Sequence, residues 1–283
     1  MREFLVERQF SEETADDLIG RIVDEQTPNV TQEGIWRDKD TGEPVLMHFP
    51  APFPTGDVRR AVLRIHFGQG TYRSGMGFRN RSATFGYAPR KAFIQREACQ
   101  PSALARDHPD IEAVLDAAAS LIFDVVQREL PDVSRQAMDV IDREVLPEWR
   151  MESVPWTSGV INETSQLPYH RDGFNFPLWS AMPVLRRAVR GGHLHLPEYD
   201  LTVPCRDRWV VAFPGYRIVH GVTPMVKKGK GAYRISIVYY ALRGMKDCHT
   251  YAVEVGEARK RRTEREDRAL TDDDQYEASR RKG

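Results

Sequence analysis

Beyond residue 150 the chain breaks into short runs rich in β-branched and aromatic residues: TSGVINETSQL, GGHLHLPEYDLTV, RWVVAFPG, RIVHGVTP and AYRISIVYYAL. Branched and aromatic side chains pack well on a pleated surface, and the Gly, Pro and Asp between the runs supply turns. A succession of short strands predicts an antiparallel sandwich or barrel over 151–250. The first half reads differently. Ile111, Val114, Leu115, Ala118, Leu121, Ile122, Val125 and Val126 keep helical spacing over 109–130. A second helix is expected over 132–146, between Pro131 and Pro147, and a third over 11–25, capped by Ser11. The prolines of 28–60 predict loops and edge strands. The whole is an α+β chain in three parts. Residues 1–150 hold helices, edge strands and a basic loop, 151–250 the strand-rich core, and 251–283 a charged tail, helical or disordered.

No apolar run approaches the roughly 20 residues that span a bilayer, so no membrane is expected. The start, MREFLVERQF, lacks the apolar stretch of a secretory signal. Cys99, Cys205 and Cys248 are widely spaced and odd in number, which predicts neither a disulfide framework nor a zinc site and favours a reducing cytoplasm. A formal net charge of zero excludes a uniformly basic nucleic-acid binder. The charge is uneven, however. From Val58 to Arg106 there are ten Lys or Arg against one acid, Glu97, interleaved with Phe67, Tyr72, Phe78, Phe85, Tyr87 and Phe93. That composition suits a phosphate backbone and unstacked bases, or a basic face paired with the acids of 107–147. Its Gly-rich FGQGTYRSGMGF stretch predicts a loop, and not a phosphate-binding one, since no Gly-Lys-Ser/Thr follows.

The chemistry concentrates in LPYHRDGFN. In an extended strand, side chains two apart share a face, so His170 and Asp172 can point together. An imidazole and a carboxylate are two ligands for a ferrous or similar ion, and His220 in IVHGVTP, 48 residues after Asp172, is the candidate third. Fourteen residues later Arg234 opens RISIVYY, with Ser236, Val238 and Tyr240 on its face and Ile235, Ile237 and Tyr239 on the other. Arginine with a hydroxyl makes a fork for a carboxylate. Two histidines and one carboxylate leave octahedral positions open for 2-oxoglutarate and dioxygen. His193 and His195 also share a face, but no carboxylate stands at matching spacing, so they read as barrel residues.

Residues 157–243 resemble the double-stranded β-helix (jelly-roll or cupin-like) core of 2-oxoglutarate/Fe(II) dioxygenases. They are most similar to the TET/JBP family, including its bacteriophage members, which oxidises 5-methylpyrimidines in DNA. The likeness is carried by Ser158–Val160, HRDGFN at His170–Asn175, VHGVTP at Val219–Pro224 and RISIVYY at Arg234–Tyr240. It implies Fe(II) on His170, Asp172 and His220, with 2-oxoglutarate held at its distal carboxylate by Arg234 and Ser236, and O2 as oxidant. It further implies DNA as partner, with its target base flipped, Asn175 contacting that base and Tyr240 stacking on it. An aromatic is expected to replace the lost stacking in the duplex. Arg79, Asn80 and Arg81 are nominated for backbone or cosubstrate contact. One position departs: animal TET enzymes carry a base-bonding histidine where this chain has Leu242. Leucine cannot make that bond, which leaves thymine or an already modified pyrimidine open beside 5-methylcytosine, the base that the resemblance implies. The iron site alone also fits a hydroxylase of a protein side chain or small molecule, or a DNA- or ligand-binding barrel with a vestigial metal site. Activity is expected in the cytoplasm, that of a host if the chain is phage-encoded.

Overall fold

The computed structural model describes residues 1–67, 71–72, 79–91, 96–163 and 166–280. Among the described residues, the strands expected beyond residue 150 fall into two facing sheets and a two-stranded ribbon, Val189–Gly191 with Met225–Lys227. The larger has ten strands. Its path runs Glu3–Val6, Gly34–Asp38, Pro44–Pro50, Trp209–Phe213, Ser180–Arg187, Tyr233–Tyr240, Ser158–Glu163, Arg79–Ala88 and Thr71–Tyr72, with Gln100–Pro101 pairing off Arg79–Ala88. The smaller runs Leu201–Val203, Leu194–Leu196, His220–Val222 and Leu167–His170. Met182, Val184, Val211 and Phe213 of the first sheet pack with Leu194, Leu196, Leu201 and Val203 of the second. This is a double-stranded β-helix.

Strand alternation sorts the Tyr233–Tyr240 side chains as the period of two requires. Ile235, Ile237 and Tyr239 join Leu115, Ala118 and Ile122 of the Pro109–Glu129 helix in the largest apolar cluster. Ser236, Val238 and Tyr240 point the other way, into a cavity between the sheets. The helices Pro109–Glu129 and Pro131–Glu144 therefore cover the back of the large sheet, each starting on a proline that has no N–H to leave unpaired.

Several features depart from expectation. The first helix covers only Glu12–Asp16, because the chain turns at Gly20 (φ +86°) and exchanges backbone bonds with the small sheet. Gly20 N donates to Tyr169 O at 2.8 Å and Tyr169 N to Arg21 O at 3.0 Å. Pro44–Pro50 is an interior strand rather than an edge, its prolines confined to its two ends. Thr55–Leu63 is an unexpected helix and Arg79–Ala88 an unexpected ten-residue strand. Most of the Gly-rich stretch lies outside the described residues. The charged tail is helical over Tyr251–Arg280. No helix among the described residues is long and apolar enough to cross a membrane.

The expectation of unpaired cysteines is overturned. Cys99 and Cys248 form a disulfide with Cα atoms 5.8 Å apart, and Cys205 stays free and buried. A separation of 149 residues hides that pairing in sequence. Folding brings both sulfurs into the apolar cluster around Trp149, where buried Glu254 accepts the Cys99 N–H at 2.9 Å. Cysteine usage therefore gives no support to a reducing compartment.

Candidate active site

The small sheet places the first and third candidate ligands side by side. His170 ends one strand, His220 begins its antiparallel neighbour, and the two residues are direct cross-strand partners, with a register shift just beyond. Each imidazole is oriented in the same way. His170 Nδ1 lies 2.9 Å from Pro168 O and His220 Nδ1 2.9 Å from Ile218 O, so Nε2 of each is left facing the cavity. Asp172 enters from the turn that follows, its N–H held by Gly215 O at 3.0 Å. Its two oxygens stand 3.9 Å from His170 Nε2 and 3.9 Å from His220 Nε2. One donor atom from each of the three falls within 4.8 Å of the others, a span that small side-chain adjustments close around an ion with bonds of about 2.1 Å. Burial first, and then the neighbouring His170, push the His220 imidazole down to about 4. It is therefore neutral at pH 7, the form that ligates a metal.

The three residues open onto a cavity of about 560 Å³ between the sheets. Val160, Met182, Leu194, Phe213 and Val238 supply apolar wall, and Ser236, Asn175, Tyr240 and Leu242 also line it. Asn175 is buried, and its backbone forms a bridge with Leu242, so the base-contact candidate and the departing position are neighbours. Arg234 is 1% exposed in the interior of the large sheet. Gly192, at φ +69°, makes room for it: a Cβ there would lie 2.9 Å from Arg234 Cδ. Arg186 is its cross-strand partner and is shifted below the usual arginine range by burial and then by the Arg234 charge. The buried Arg234 guanidinium, with the partly buried Arg186 beside it, gives this part of the sheet a positive potential suited to a carboxylate.

The basic segment resolves into individual contacts. Arg59 pairs with Asp207, Arg64 with Asp110, Arg81 with Glu163 and Arg90 with Glu254. Of these, Arg64 alone reaches an acid of 107–147. Arg81 lines a separate small cavity with Phe67 and Tyr233, not the large one. Among the described residues of the segment, Lys91 and Arg96 are the basic ones that line the large cavity. The side chains of Arg79 and Asn80 lie outside the described residues. His193 and His195 are engaged with Pro204 O at 3.0 Å and Tyr169 Oη at 2.6 Å, as barrel residues would be.

Sequence reasoning missed Gly215, which leaves no room for a side chain: a Cβ would lie 2.7 Å from Asp172 Oδ2 and 3.4 Å from His220 Cε1. The Phe-Pro-Gly punctuation before IVHGVTP was the available signal. It also missed Glu198, which no motif marks.

No family model and no curated protein matches the chain. Among solved structures, NgTET1 in complex with 5mC DNA aligns over 91% of this chain and 91% of its own, at 14% identity and a TM-score of 0.58. The chain shares the double-stranded β-helix fold of that structure. An oxidoreductase of the 2OG-Fe(II) oxygenase family from Burkholderia pseudomallei aligns over 70% of this chain and 85% of its own, at 16% identity and TM-score 0.43. A viral collagen prolyl hydroxylase from Paramecium Bursaria Chlorella virus-1, in a 2OG complex, covers 70% and 97%, at 10% identity and TM-score 0.38. A likeness over 91% of the chain extends well beyond the motif-bearing residues 157–243.

Proposed function

We propose that this chain is a 2-oxoglutarate- and Fe(II)-dependent dioxygenase that hydroxylates the 5-methyl group of a pyrimidine in DNA, 5-methylcytosine foremost and thymine as the alternative. The observation that carries the reading is the convergence of His170, Asp172 and His220 at the mouth of one cavity. The shared fold with a protein solved on 5mC DNA supports the choice of substrate.

Iron with 2-oxoglutarate and dioxygen supplies the oxidation, inserting one oxygen atom into a methyl C–H bond as the cosubstrate becomes succinate and carbon dioxide. Everything else falls to the chain. His170, Asp172 and His220 hold the metal from one side and leave the cavity side open. Arg234 and Ser236 bind the distal carboxylate of the cosubstrate. Val160, Leu194, Phe213 and Val238 keep water from the reacting face. A methyl group inside a duplex cannot reach ligands that line a cavity between the sheets, with His220 buried, so the base is extruded. Asn175 meets its polar edge and Tyr240 its face, while Lys91 and Arg96 attract the backbone.

The test is incubation of the protein with iron, ascorbate, 2-oxoglutarate and DNA carrying 5-methylcytosine or thymine, followed by nucleoside mass spectrometry. A hydroxymethyl pyrimidine that His170→Ala fails to produce is the expected result. Succinate released without any oxidised nucleoside would retain the oxygenase and remove DNA as its substrate.

A further inference from the structure

Phe174 is the most exposed large apolar side chain among the described residues, at 81%, and it stands at the rim of the large cavity. A single apolar residue on a surface is ordinary. This one is held in an uncommon way. It sits at the apex of the turn between Asp172, a candidate metal ligand, and Asn175, a candidate base contact. The backbone of that turn is fastened on both sides: Asn175 N donates to Asp172 O at 3.0 Å, Arg243 N to Phe174 O at 2.9 Å and Phe176 N to Ala241 O at 2.8 Å. The ring thus projects from a turn held by backbone hydrogen bonds on both sides. Its company is cationic. The Lys91 ammonium lies 5.5 Å from the ring centroid, Arg243 lies exposed beside it, and Arg96 lines the same cavity.

An exposed aromatic ring with a lysine ammonium over it, at the rim of a pocket that Arg96 also lines, matches one feature of a nucleic-acid duplex, the gap left between neighbouring bases when one is swung out. The ring offers stacking surface to the two bases beside the gap, and the cations meet the phosphates on either side. We propose that Phe174 enters the base stack in place of the extruded pyrimidine, with Lys91 on the adjacent phosphate. The proposal rests on the DNA reading above and assigns a residue to a task that reading leaves open. Tyr240 and Phe174 then divide the stacking: Tyr240 inside the pocket on the extruded base, Phe174 outside it in the duplex.

The experiment compares two DNAs of one sequence, a duplex and its single strand, each with one 5-methylcytosine. A single strand has no gap to fill. Phe174→Ala is expected to lower kcat/KM on the duplex by about tenfold to a hundredfold, the worth of one base–aromatic contact, and to change it less than about threefold on the single strand. Phe174→Trp is expected to keep duplex activity. A 2-aminopurine in place of the target base reports extrusion without turnover, and its fluorescence should rise with the parent protein and rise less with Phe174→Ala. Equal losses on both DNAs, or none on either, overturn the proposal while leaving the DNA reading intact. If the parent protein oxidises neither DNA, the DNA reading falls and takes this proposal with it.

Discussion

Glu198, fully buried, accepts the backbone N–H of Val219 at 2.8 Å, one residue before the candidate ligand His220. The same carboxylate stands 3.6 Å from Arg171, between the candidate ligands His170 and Asp172, and 3.4 Å from Arg8. One anion therefore braces both strands that carry the imidazoles. Glu198→Ala removes an acceptor from a buried N–H and the shared partner of two cations. The expected loss is about 1–3 kcal/mol in urea unfolding, below that for a fully buried pair because Arg8 and Arg171 are partly exposed. Metal affinity should fall by about tenfold to a hundredfold. Glu198→Gln keeps the acceptor and should recover most of the metal affinity, measured by competition with a chromogenic chelator.

Gly215 tests the metal centre with little cost to the fold. A Cβ would press on Asp172 Oδ2 at 2.7 Å, and a carboxylate at the end of a short side chain can swing aside. Swinging aside is what a ligand cannot afford. Gly215→Ala should leave the melting temperature within a few degrees of the parent and weaken metal binding by about tenfold or more. Titration calorimetry with Mn(II) reads it; unchanged affinity would mean that Asp172 is not a ligand in this pose.

The grouping of His170, Asp172 and His220 was legible because each lies in or beside a strand whose period of two fixes its face, whereas Arg234 is buried in the sheet and is not among the residues that line the cavity. Ser236 and Tyr240 followed from Arg234 by the same count. What stayed hidden depends on distance along the chain. Glu198 acts through a backbone N–H, which no side-chain pattern records, and Gly215 through the absence of a side chain. The Arg79–Ala88 strand, RNRSATFGYA, carries too few apolar residues to announce itself, although it pairs along the whole of Ser158–Glu163. Basic composition over Val58–Arg106 said nothing about which cations face the cavity, because the acids that engage the others lie as far away as Asp207 and Glu254.

Glu112 and Asp116 give the fold a pH dependence independent of the metal centre. Burial, then the charge of Asp116, raises the Glu112 carboxyl from 4.5 to about 7; burial, then Glu152, raises Asp116 from 3.8 to about 6. Both groups hold protons in the folded state that they release when unfolded. Their favourable contribution is complete below about pH 4 and is lost as pH rises toward 7. Glu112 Oε1 accepts the Gly86 N–H at 2.6 Å, a bond that an amide oxygen can keep. Glu112→Gln should therefore be the more stable protein at pH 8 and lose its advantage at pH 5, with denaturant midpoints at the two pH values as the measurement. A constant difference between the variants would remove Glu112 as the titrating group.

The Cys99–Cys248 disulfide closes a loop whose ends are 149 residues apart. Loop-closure entropy for that length amounts to about 5 kcal/mol, and disulfides more often deliver about 2–4. The bond joins the segment after Lys91 and Arg96 to the segment after Tyr240 and Leu242, so it ties together two stretches that line the cavity. Cys99→Ser should lower the melting temperature by several degrees in oxidising buffer. It should have no such effect relative to the parent in reducing buffer, where both proteins lack the crosslink. Equal melting temperatures in oxidising buffer would show that the two sulfurs do not bond in solution. A matched loss of DNA oxidation in the variant, at a temperature where it remains folded, would show that the crosslink also holds the cavity rim in shape.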